Sequence, residues 1–112
     1  MTHLAKTITD NLERARQDQG LSTRHLAHIA GMAQKTVHSC VNATHVPKVD
    51  TVDGVATAML VSPAAMTIEN VPMDLLVGFQ ADSLLKHFAK LPKDKRWTVI
   101  ELVKQLAEME GK

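Results

Sequence analysis

The sequence predicts an all-α fold. Apolar residues recur at three- and four-residue spacing in one segment after another, and glycine and proline fall at the segment ends. No stretch alternates apolar and polar residues long enough to argue a strand.

Each element follows from that pattern. Ile8, Leu12 and Ala15 share one helical face, and Gly20 closes a first helix over residues 8–19. Ser22 is a good N-cap for a second, with Leu26, Ile29 and Ala30 facing inward until Gly31 breaks it after about two turns. A third covers residues 33–42, with Val37, Cys40 and Val41 on one stripe, and a loop over residues 43–48 carries Pro47. A fourth is expected over residues 50–60 on Val52, Val55, Ala56 and Met59, although Gly54 costs it about 1 kcal/mol of propensity. Ser62-Pro63 signals the start of a short fifth helix ending near Ile68.

Beyond it, Pro72 and Gly78 bracket a less regular connector. Asp82-Ser83 begins a helix reaching about Lys90 and carrying Leu84, Leu85 and Phe88, and Pro92 stops it. Asp94 then caps an amphipathic helix to Glu110, with Trp97, Ile100, Val103 (or Leu102), Leu106 and Met109 on its stripe. The expected organisation is a helical domain over residues 1–70 and a helical extension over 71–112.

With 45% hydrophobic and 22% charged residues, the chain has the composition of a globular protein. No apolar run approaches the ~18 residues of a membrane span, and the N-terminus lacks the order of a signal peptide. Cys40, the one cysteine, has no partner for an internal disulfide. The expectation is a cytoplasmic protein with no membrane partner. Net charge is only +1, but residues 1–48 hold six Lys/Arg against three Asp/Glu, together with five of the six histidines. Residues 49–80 hold four acids and no Lys/Arg, an asymmetry that suits one polyanion-facing side.

The two short helices meeting at Gly31 are the informative feature. A helix-turn-helix needs two helices at a steep angle, joined by a tight turn with a residue that accepts a left-handed backbone. Leu21-Ser22, Leu26-Ala27, Gly31, Val37 and Cys40 meet those demands in order, and Ala27 is small enough for a close helix approach. Gln34, Lys35, Thr36, His38, Ser39 and Asn42 then form the outward face, the residue types that reach base edges and phosphates.

In these residues the chain resembles the Cro/CI-type (XRE) helix-turn-helix family, which includes many phage and bacterial repressors. The resemblance runs from Ile8 to Ile68 and rests on Leu12, Arg16, Gly20-Leu21-Ser22, Leu26-Ala27, Gly31, Gln34, Thr36-Val37, Pro47, Ala56, Met59 and Val61-Ser62. It implies a five-helix lambda-repressor-like domain that binds palindromic operator DNA as a homodimer and needs no cofactor. By position it places Gln34, Lys35, Thr36 and Ser39 at base edges, and Thr23, Arg24, His38 and Asn42 at phosphates.

Three positions depart from the family's pattern. Val41 stands where a glutamate often pairs with the arginine at position 16, so Arg16 must find another partner or face the DNA backbone. Ala33 replaces the serine or threonine that usually caps the recognition helix, a loss of about 1 kcal/mol. Ala43 replaces a frequent glycine at that helix's end.

The C-terminal stripes are too apolar for isolated helices to leave in water. Dimerisation through Leu84, Phe88, Trp97, Ile100 and Leu106 is the expectation, because one recognition helix alone buries too little for tight specific binding. Capture of another protein by these helices is the alternative. His25, His28, His38 and His45 lack the spacing of a metal site, and Lys93, Lys95 and Arg96 read as a solvated helix start. Cys40 and the methionines read as core. No nucleophile with its base, carboxylate pair or phosphate-cradling loop appears, so no enzymatic activity is expected.

Overall fold

The computed structural model describes residues 1–43 and 45–111, and every regular element among them is helical. In order these are α1 (His3–Asp18), α2 (Thr23–Ala30), α3 (Gln34–Val41), α4 (Val49–Met59), a 3₁₀ turn (Ala65–Thr67), α5 (Met73–Leu76), α6 (Gln80–Phe88) and α7 (Lys93–Glu110). None of these helices is long and apolar enough to cross a membrane.

The chain divides into two units, Met1–Asp82 and Ser83–Lys112. The boundary expected after residue 70 therefore moves to 82, for a reason found in the core. Val71 and Leu76 are completely or almost completely buried with the rest of the first unit. The backbone is tied back as well: Ser62 N–H donates to Leu76 O at 2.8 Å, Gly78 N–H donates to Leu60 O at 2.8 Å, and Val61 and Val77 form an antiparallel bridge.

Three helices of this unit end in the same motif. After α1, Leu21 N–H reaches Arg16 O (3.1 Å) and Gly20 N–H reaches Gln17 O (3.1 Å) around a left-handed Gly20. After α2 the same pair of bonds runs from Met32 to Ala27 (2.9 Å) and from Gly31 to His28 (3.2 Å). After α4 the residue in the left-handed conformation is Leu60, at φ +57°, a backbone that costs a non-glycine residue about 1–2 kcal/mol.

The core lies where the helical faces of α1, α2, α3 and α4 meet: Leu12, Ala15, Leu26, Ala27, Val37, Cys40, Val41, Val55, Ala56 and Met59 are all buried. Ile29 departs from the expected inward face of α2 and is half exposed, because Ala27 takes the place beside Leu26. At Gly54 in α4 an added Cβ would meet only the Met32 methyl group, the far end of a flexible side chain that can move aside, so packing does not demand glycine there.

The expected fifth helix is reduced to the 3₁₀ turn. Ser62 does act as its cap, accepting a hydrogen bond from Ala65 N–H at 3.0 Å, but the chain turns out again at Ile68. What holds that segment is α1. Asn11, 1% exposed, donates to Met66 O at 2.7 Å and to Ile68 O at 3.0 Å, while Arg14 donates to Val71 O at 2.8 Å. In the second unit, α7 begins at Lys93 after Pro92 rather than being capped by Asp94, which sits in its first turn.

Candidate functional site

The corner between α2 and α3 is built from its first residue. Ser22 accepts a hydrogen bond from His25 N–H at 3.0 Å and so satisfies one of the free donors at the start of α2. Leu26 and Ala27 enter the core, and at Gly31 the backbone turns left-handed at φ +68°, which glycine adopts without steric cost. Three residues, Gly31 to Ala33, separate the two helices. Ala33 makes no side-chain cap, so α3 starts with its first amide donors unserved by any cap side chain.

Arg16 braces this corner from α1. Its Nε donates to Glu13 Oε2 at 2.9 Å, Nη2 to Glu13 Oε1 at 2.5 Å, and Nη1 to Leu21 O at 2.6 Å, immediately before the Ser22 cap. The hydrogen bond from Arg16 holds the Glu13 carboxyl below its ordinary range, against the opposing effect of partial burial, with Gln17 and the nearby charges of Arg16 and His38 assisting. The same pairing raises the Arg16 guanidinium. The acid missing at position 41 is thus supplied from one turn earlier on the arginine's own helix.

Val37, Cys40 and Val41 anchor α3 by its inner face. Burial pushes the Cys40 thiol up to about 11. At 3.6 residues per turn, Lys35, Ser39 and Asn42 stand opposite that anchor, and Gln34 and Thr36 occupy the two flanks. Gln34, Lys35, Thr36, His38 and Asn42 are exposed, and Ser39 is half-buried. Asn42 Nδ2 lies 3.0 Å from Nδ1 and 3.1 Å from Nε2 of His38, so these two side chains act together. Thr23 is half-buried in the first turn of α2, and Arg24 beside it is exposed.

Ser39 is half-buried because it lines an open groove between α3 and the start of α4. Lys35, Thr36 and Ser39 form one wall, and His45, Lys48 and Thr51 belong to the other. The last three were not among the expected site residues. Their signal was present, in a basic residue and a hydroxyl flanking a helix start, but only the fold shows that this start faces α3. Ala43 takes a left-handed backbone, φ +56°, at the position where a glycine was expected.

The residues expected to dimerise are scattered by comparison. Leu84, Trp97 and Leu106 are exposed, while Phe88 and Ile100 are half-buried. Trp97 and Leu106, nine positions apart, fall on opposite sides of α7, so they do not share one stripe. Among the described residues no three His, Cys, Asp or Glu side chains converge as a metal site requires. Set against protein-family models, curated proteins and solved structures, the chain matches none of them.

Proposed function

We propose that this chain is a sequence-specific DNA-binding transcription regulator, a repressor that occupies palindromic operator DNA as a homodimer and inserts α3 into the major groove. On this reading the first unit is a lambda-repressor-like domain of the Cro/CI type, and the corner at Gly31 is its helix-turn-helix. The observation that carries it is the division of labour in α3: three apolar residues fix the eight-residue rod to the core, while four polar ones stand exposed on it and a fifth, Ser39, is half-buried.

The chemistry follows from hydrogen-bonding capacity. Lys35 is a donor for the O6 and N7 acceptors of guanine, and the Gln34 amide matches the N7 acceptor and N6 donor of adenine; each good pair contributes about 1–3 kcal/mol of discrimination. Thr36 and Ser39 supply shorter contacts to neighbouring bases. Thr23, Arg24, His38 and Asn42 meet phosphates and set the register of the helix. Lys48, across the groove from Lys35, adds a second positive charge, and His45 lines the same wall. No bond is made or broken, and neither cofactor nor metal is called for.

Selection of bound sequences from random duplexes tests the reading: enrichment of a two-fold symmetric site with half-sites about one helical turn apart supports it. A second reading takes the C-terminal helices as a surface for another protein, as in an antitoxin-like autorepressor. It is favoured by one fact, that α6 and α7 contain no buried residue. Substitution of Gln34 and Lys35 separates both DNA-binding readings from a pure interaction module, which would keep its partner and have no operator to lose.

A further inference from the structure

Like α6, α7 contributes no buried residue. It runs for eighteen residues, a rod of about 27 Å. Leu102, Val103, Leu106 and Met109 are each more than half exposed. With Val99 they recur at three- and four-residue spacing along one side, the pattern of a two-helix seam with Val99 and Leu106 in one row and Leu102 and Met109 in the other. Trp97 lies on the far side, beside Glu101 and Gln105. A continuous apolar side of this kind marks an interaction surface.

The charges along α7 identify what covers it. Its first four residues carry Lys93, Lys95 and Arg96 against Asp94, and residues 101–110 carry Glu101, Glu108 and Glu110 against Lys104. One end is basic and the other acidic. We infer that α7 pairs antiparallel with α7 of a second copy of this chain, laying the basic end of each helix on the acidic end of the other. A parallel pair would set like charges together; the antiparallel pair also opposes the two helix dipoles. It is an isologous arrangement, compatible with two-fold symmetry.

Register follows from interleaving the two rows. Leu102 of one copy meets Leu106 of the other, Val99 meets Met109, and Val103 packs against its own counterpart at the two-fold axis. Arg96 then flanks the seam beside Glu110 of the other copy. Trp97, facing away, takes no part. This deepens the homodimeric element of the proposed function, yet it requires nothing of α3 and is read without DNA.

The test is the oligomeric state of the full chain by sedimentation equilibrium over a roughly hundredfold concentration range spanning micromolar values. A dimer is expected. Leu106→Glu should leave a monomer with unchanged helical circular dichroism, and Trp97→Ala should leave the dimer intact. Arg96→Glu and Glu110→Arg should each weaken association about tenfold, and the double charge reversal should restore it. A wild-type monomer at every concentration overturns the inference. So does a dimer indifferent to Leu106→Glu, or one in which the double reversal is as weak as the singles. A dimer that shows no DNA preference would leave this pairing standing and remove the DNA-binding proposal instead.

Discussion

Glu13 and Arg16, three residues apart on α1, form a two-pronged ion pair whose third arm reaches the carbonyl of Leu21 at 2.6 Å. Both side chains are about four-fifths shielded, at 22% and 20% exposure, so the pair is weakly screened by solvent. It joins the end of α1 to the residue before the cap of α2 and so sets the angle at which the corner leaves the core.

Removing the carboxylate charge should therefore loosen the corner. Glu13→Gln is expected to cost about 1–2 kcal/mol in urea denaturation. The pH dependence has a definite sign. The carboxyl is held below its ordinary value of 4.5, so its contribution is complete above that value and is lost as pH falls through the lower folded value. The wild type should lose stability below about pH 4.5 more steeply than Glu13→Gln, measured as denaturation midpoints from pH 6 to pH 3.

Asn11 is the clamp on the segment that follows α4. Its amide serves two carbonyls, those of Met66 and Ile68, from a position 1% exposed. Asn11→Ala leaves both without that donor and opens space beneath them. A loss of about 2–3 kcal/mol in unfolding free energy is the expected result, with hydrogen exchange rising first over residues 62–71.

The alanine at the start of α3 leaves stability unclaimed. Ala33 has an extended backbone, φ −67° and ψ 142°, the conformation a serine needs to cap the helix. Ala33→Ser should raise stability by about 1 kcal/mol, read as a higher thermal midpoint.

Cys40 is 1% exposed, and its thiol is pushed up to about 11. The thiolate is the reactive form, so the folded protein should resist an aromatic disulfide reagent at neutral pH and react fully once unfolded. Rapid labelling of the native state would contradict the packing of α3 on the core.

How far the sequence revealed the fold depends on the range of the interactions. The helices of the first sixty residues were legible because their signals are local: Ser22 as a cap, Gly20 and Gly31 as stops, and Val37, Cys40 and Val41 as a face. The boundary at 82 was not, since it rests on Val71 and Leu76 returning to a core that holds Leu12, more than fifty residues earlier in the chain. Leu60 could not be foreseen as a helix stop, because leucine carries no such preference and the tertiary bond from Gly78 N–H to its carbonyl supports it there. Ile29 was assigned inward from spacing alone, whereas the close approach of α3 favours the smaller Ala27. At the candidate site, the face of α3 followed from periodicity, but His45, Lys48 and Thr51 join it only through the packing of α4. The partner of Arg16 was open in the sequence because a glutamate three residues earlier on a helix is too common to single out.

The proposed function stands or falls with the outer face of α3 reading base edges. The most direct measurement is the affinity of the full chain and of Lys35→Ala and Gln34→Ala for the duplex enriched from a random pool, set against a scrambled duplex at the same salt. The wild type should prefer the enriched duplex by about a thousandfold or more. Each substitution should remove about ten- to a hundredfold of that preference while binding to the scrambled duplex changes far less. Equal affinity of the wild type for both duplexes at low ionic strength, or variants that keep the full preference, would contradict it.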